Sequence, residues 1–201
     1  MMNAVVNKVN SRISHSKYGE VFFTSSFPDY DVEYITKLLA MFEKEGIICR
    51  ISKGVYVKAR NTQFGVLYPS VFELVTEIAK RDKAEIIPVG TTAANQLGLS
   101  TQVPMKPSFL TTGSSRTLVV GSRTVTLKHG APRNFAFKTP LIRDLVQALR
   151  SIGEKNLTQE HEVQIAKLLA EQTDKNALEH DLLLTPVWMR KVIKRNMKGD
   201  V

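Results

Sequence analysis

Side chains that commonly carry chemistry are sparse in this chain and poorly spaced for it. The four histidines, His15, His129, His161 and His180, form no His-x-x-x-His pair, and none stands near a cysteine at metal-ligand spacing. Cys49 is the only cysteine, which rules out an internal disulfide and a cysteine-based zinc site. It lies between Ile48 and Arg50 in an apolar run and reads as a small buried side chain, not a nucleophile. There is no Gly-x-Ser-x-Gly elbow and no carboxylate cluster suited to two-metal work. Gly90-Thr91-Thr92 could offer backbone amides to an anion at a helix start, but it lacks the Gly-Lys-Ser/Thr ending of a phosphate loop. Thr91 reads there as an N-cap, and Asn95 and Gln96 as structural hydrogen-bonders. The expectation is a protein that is not an enzyme, with no metal and no cofactor.

Cations are what the chain does supply. Its 28 Lys and Arg against 19 Asp and Glu give a formal charge of +9 and an isoelectric point near 9.7. Such a balance points to a polyanion, either nucleic acid or a membrane surface, although many basic domains bind neither. No stretch reaches the ~18 apolar residues of a membrane span, and the N-terminus lacks the apolar core of a signal peptide. With the lone cysteine, the expectation is a soluble cytoplasmic protein with no membrane partner.

Two groups of cations stand out. In the first, Tyr34, Thr36, Lys37, Met41 and Lys44 fall on the polar side of an amphipathic helix, with Glu33 and Glu43 beside them. Lys and Tyr can hold phosphates, and Thr can meet a thymine methyl or a base edge. Arg50, Lys53 and Lys58 follow on a hairpin, with Arg60 just beyond, and Lys53 beside Gly54 suits a close approach to phosphate. Ser25 and Ser26 precede the helix and either donate to a phosphate or cap a turn. The competing readings are a solvated helix face and a hairpin whose charges deter edge pairing. The second group, Arg116, Arg123, Lys128 and Arg133, lies on predicted strands and their exit, as a second basic surface for nucleic acid or an acidic protein or as a hydrated sheet face.

The elements that must position these groups can be read from periodicity. Val5, Val6, Val9 and Ile13 predict a first helix over residues 3–16. A short apolar stretch and a brief helical turn lead to Asp31, the N-cap of a helix with the stripe Val32, Ile35, Leu38, Leu39 and Phe42. Gly46 ends that helix. Residues 47–51 and 55–57 read as strands around a Ser52-Lys53-Gly54 turn. Helix, turn, helix, hairpin is the order of a winged helix-turn-helix, whose second full helix enters the major groove. Residues 61–65 read as a linker between a domain at 1–62 and another at 66–201. The second domain reads as α+β: helices near 71–80, 92–97, 140–151, 158–171, 176–183 and 186–197, and a small antiparallel sheet from strands near 85–89, 108–112, 116–120 and 124–129. The last helix has a basic face that either touches a partner or stays in water while its apolar edge docks.

Three stretches resemble the AbiEi-like antitoxins of abortive-infection systems. The first runs from Leu39 to Tyr56, with Gly46, Ile48, Arg50, Gly54, Val55 and Tyr56 on the family's pattern of helix end and wing. Gly90 to Pro104 is the second and Leu110 to Arg116 the third. Order and spacing agree over most of residues 1–150. Phe42 replaces the usual Leu, and Met41 and Glu43 stand where many relatives carry Arg. The resemblance implies a phage-defence antitoxin that neutralises a nucleotidyltransferase-like toxin, without a stable complex between the two. It also implies transcriptional repression of its own operon through winged-helix binding to operator repeats in double-stranded DNA, with room for a homodimer there. A stand-alone winged-helix regulator with a sensing or dimerising second domain is the alternative.

Overall fold

A computed structural model describes residues 2–197; residue 1 and residues 198–201, the end of the expected second domain, lie outside the described part. The fold is α+β. The chain divides into two compact units, Met1–Asp82 with Thr117–Val125, and Lys83–Arg116 with Thr126–Val201. This division differs from the expected one at residues 61–65.

The first unit begins with α1 (Met2–His15), β1 (Val21–Phe23) and one turn of 3-10 helix over Thr24–Ser26. Next come α2 (Val32–Lys44), β2 (Cys49–Ser52) and β3 (Val55–Val57). β1 pairs antiparallel with β3, and β3 with β2, giving the order β1-β3-β2. The apolar stretch after α1 is therefore a third strand on the expected hairpin. Val9 and Ile13 of α1, Phe22, Phe27, four residues of α2, Ile48 and Tyr56 close one core. Ile35, Leu38, Leu39 and Phe42 recur at helical spacing and are all buried, so the core-facing stripe is as expected except at its first residue. Val32 is 64% exposed, because at 100° per residue it falls at the edge of the stripe centred on Ile35, Leu38, Leu39 and Phe42.

Residues 61–65 are not a linker. Arg60–Thr62 (β4) and Gly65–Leu67 (β5) pair antiparallel as a separate two-stranded sheet. α3 (Val71–Asp82) buries Leu74, Val75, Ile78 and Ala79, and sets the Arg81 guanidinium 4.2 Å from the centre of the Phe23 ring.

The second unit holds β6 (Ile86–Pro88), α4 (Thr91–Gln96) and β7 (Ser108–Thr111). It also holds parts of β8 (Arg116–Val120) and β9 (Arg123–His129), then α5 (Pro140–Ile152), α6 (Gln159–Ala170), α7 (Lys175–Leu184) and α8 (Val187–Met197). Strand order is β6-β7-β9-β8. β6 and β7 are antiparallel, but β7 and β9 are parallel, with Phe109 opposite Leu127. The expected all-antiparallel sheet is thus a mixed one. The two-residue Gly121-Ser122 turn, with Gly121 at φ +60°, joins β8 and β9 as a hairpin. Gly113-Ser114-Ser115 is not such a turn. Its ends are held by the Gly113 amide donating to Thr111 Oγ1 and the His129 amide donating to Ser115 Oγ, so β9 takes the place beside β7.

Gly90, not Thr91, is the N-cap of α4, with φ +60° that glycine tolerates, and no side chain caps it. Asp181 on α7 is fully buried and accepts from the Lys138 and Thr139 amides at 2.8 and 2.7 Å, fixing the chain where it enters α5. His180 Nδ1 lies 2.9 Å from the same carboxylate. Burial resists ionisation there, but the bonds from His180 and from these residues outweigh it and hold the Asp181 pKa below its ordinary value.

Candidate nucleic-acid interface

Both ends of α2 are set by local chemistry. Asp31 accepts from the Tyr34 amide at 2.9 Å as N-cap. At the other end the Gly46 amide donates to the Glu43 carbonyl and the Ile47 amide to the Phe42 carbonyl, the paired bonds of a Schellman motif. Gly46 sits at φ +72°, where a Cβ would be strained. These caps fix which side chains leave the surface, and they aim the chain directly into β2.

The exposed face of α2 carries Glu33, Thr36, Lys37, Met41 and Lys44. Glu33 and Lys37 form an i,i+4 pair at 2.7 Å with both side chains about three-quarters exposed, at 77% and 74%. Such a pair is worth about 0.3–0.5 kcal/mol and is easily exchanged for a phosphate. Thr36 donates its hydroxyl to the Val32 carbonyl at 2.7 Å, so it offers outward only its methyl and its lone pairs. Tyr34 was expected on the polar side, but it is half-buried and packs with Tyr30 against the core. A tyrosine ring at that edge gains more from burial than from water.

The hairpin β2–β3 turns through Lys53-Gly54, with Gly54 at φ +72° and Lys53 exposed. Arg50 is exposed opposite Tyr56, and its Nε reaches the Ser52 carbonyl at 3.4 Å. Burial raises the Tyr56 pKa, and Arg50 pulls it back in part. Lys58 does something else. Its ammonium donates to the Ser14 carbonyl at 2.6 Å and the Ser16 carbonyl at 2.9 Å, closing the C-terminal end of α1. Of the two serines, Ser25 is exposed, whereas Ser26 Oγ accepts from the Phe23 amide at 3.0 Å within the 3-10 turn. The expected residues that are exposed on α2 and on its hairpin are therefore Thr36, Lys37, Lys44, Arg50 and Lys53.

The second basic group is not gathered on one face. Arg116 keeps the register of buried Leu118 and Val120, whereas Lys128 points to the face opposite buried Val125 and Leu127. Arg123 is exposed at the hairpin tip, and Arg133 stands on a 3-10 turn at Pro132–Asn134. The basic face of α8 is partly engaged. Arg195 pairs with Glu162, and Arg190 donates to the Leu183 and Thr185 carbonyls, while Met189, Val192 and Ile193 are buried.

Sequence reasoning missed the role of Lys58, the burial of Asp181 and the whole β4–β5 hairpin. Lys58 carried no local signal, since its acceptors lie more than 40 positions away. Among the described residues, no three His, Cys, Asp or Glu side chains come together as a metal site, and no helix is long and apolar enough to cross a membrane. A search of curated proteins finds no match. Residues 8–177 match a family of unknown function, DUF6088, and because that is well over half of the 201 residues, the chain belongs to this family.

Proposed function

We propose that the first unit is a winged helix-turn-helix that binds double-stranded DNA, and that the protein is the antitoxin and autorepressor of a toxin–antitoxin pair. α2 is the recognition helix and β2–β3 the wing. The observation that carries DNA binding is the run of exposed cations Lys37, Lys44, Arg50 and Lys53 across a capped helix and the hairpin that follows it directly. A helix of 13 residues fits the major groove, and a tight basic turn fits the adjacent backbone. Glu33 narrows the reading face, because it repels phosphate unless paired with Lys37.

The antitoxin role is supported by the resemblance of residues 39–56, 90–104 and 110–116 to AbiEi-like antitoxins. In that reading the protein acts in the cytoplasm, opposes a nucleotidyltransferase-like toxin without a stable complex, and represses its operon at operator repeats. Toxicity rescue is the test. A nucleotidyltransferase-like gene adjacent to this one is expressed alone, with the full chain, and with the full chain carrying Lys53→Ala and Lys44→Ala. Rescue by both forms, with repression of an operon reporter lost only in the variant, is the expected result. Failure of the wild-type chain to rescue growth would leave a stand-alone winged-helix regulator.

A further inference from the structure

We propose that the β4–β5 hairpin is a second DNA-contacting element, with Phe64 as an apolar wedge that stacks against or between bases. The inference rests on the reading of the first unit as a DNA-binding module. Phe64 is 92% exposed at the hairpin tip, the most exposed large apolar side chain among the described residues. Turn chemistry does not ask for it. Two-residue hairpin loops favour Asn, Asp and Gly, and here the loop is Gln63-Phe64 between paired Thr62 and Gly65. The tip is nevertheless braced. Thr62 Oγ1 accepts from the Phe64 amide at 3.2 Å and donates to the Gly65 carbonyl at 2.8 Å. An aromatic ring is thus held outward on a fixed turn.

Among the described residues no other strand pairs with the hairpin, and a two-stranded ribbon alone is marginal in water. Val66 and Leu67 on β5 are also about half exposed, at 45% and 50%. A partner that covers the ribbon would stabilise it, and charge selects that partner. Residues 46–72, which span the β2–β3 hairpin and this ribbon, contain no Asp or Glu; Arg50, Lys53 and Arg60 are exposed there, while Lys58 is engaged by the Ser14 and Ser16 carbonyls. Two residues, Lys58 and Ala59, separate β3 from β4, so the ribbon continues the proposed wing. A basic hairpin followed by a ribbon with Arg60, no acidic side chain and an aromatic tip fits a polyanion that also offers π-faces. Duplex DNA does both, and apolar wedges enter it at base steps from the minor groove.

The experiment uses the full chain and duplexes from the DNA immediately upstream of its own reading frame, with 2-aminopurine placed at successive positions. Wild type, Phe64→Ala, Phe64→Trp and Lys53→Ala are compared at several salt concentrations. Phe64→Ala should weaken binding about 5- to 150-fold, the range for one lost aromatic–base stack, with the salt slope unchanged. Phe64→Trp should restore binding, and the 2-aminopurine emission that rises with wild type should stay flat with Phe64→Ala. Lys53→Ala should instead lower the slope. Since Phe64 is nearly fully exposed, its replacement leaves the fold intact, and thermal melting checks this. Wild-type binding that Phe64→Ala leaves untouched would overturn the wedge and spare the winged helix. Absence of any wild-type binding would overturn both. A fall in affinity matched by a shift from dimer to monomer in sedimentation would assign Phe64 to a second copy of the chain and overturn the wedge.

Discussion

Replacing Lys58 by methionine separates two roles that sequence alone merges. The residue stands in sequence beside the cations of the proposed wing, yet its ammonium closes α1 through the Ser14 and Ser16 carbonyls at 2.6 and 2.9 Å. Methionine keeps the aliphatic stem and removes the charge. Hydrogen bonds from a charged donor contribute about 1.5–3 kcal/mol each when buried. These two are partly solvated and the lost carbonyl partners can turn to water, so a total near 1–2 kcal/mol is expected, including a helix-end charge term of about 0.3–1 kcal/mol. For a chain of this size that corresponds to a fall in Tm of about 2–8 °C. The assay is thermal melting by circular dichroism, run beside equilibrium binding to duplex DNA at several salt concentrations. Lys58→Met should melt earlier and bind with an unchanged salt slope. An unchanged Tm together with a slope reduced by about one unit would refute the placement of Lys58 and make it a phosphate contact.

Lys37→Ala and Lys53→Ala should each lower the salt slope of DNA binding by about 0.9 while moving Tm little, since Lys37 has only an exposed partner; calorimetry and anisotropy titrations check both. Asp181→Ala leaves the buried Thr139 amide and the part-buried Lys138 amide without acceptors, at about 1–3 kcal/mol for the first and less for the second, and chemical denaturation should show a loss of that order. Because the folded Asp181 carboxyl titrates below the ordinary 3.8, its contribution is complete above that value and is lost as pH falls below it; the Tm gap between wild type and Asp181→Ala should therefore narrow below about pH 4 and stay constant near neutrality. Phe42→Ala empties a site that is 1% exposed and should destabilise by about 3–5 kcal/mol in urea titration, with DNA binding lost only where unfolding begins.

Much of the fold was legible because it is local. The α2 stripe, its Asp31 cap and its Gly46 stop are all written within 16 residues, and each reappears in the structure. Val32 misled because it stands at the edge of the stripe, where spacing alone does not decide burial. The β4–β5 hairpin was read as a linker since three-residue strands around Gln63-Phe64 carry neither a long alternation nor a turn dipeptide. β9 lies parallel to β7 because of long-range pairing, which no strand pattern in β7, β8 or β9 specifies. At the candidate interface, residue type was the legible part: Lys37, Lys44, Arg50 and Lys53 are exposed as expected. Ser26 takes the capping role that the sequence left open, whereas Tyr34 and Lys58 were misplaced because each packs on or bonds a neighbour that the local pattern does not reveal. The second basic group dispersed because strand alternation sends Arg116 and Lys128 to opposite faces.

The most direct test of DNA binding is the salt dependence of the full chain's affinity for duplex DNA from its own upstream region. If Lys37, Lys44, Arg50 and Lys53 all contact phosphates, a plot of log affinity against log salt should have a slope of about −3.6, and each alanine substitution should remove about a quarter of it. A slope near zero, or no binding at low salt, would contradict the winged-helix assignment.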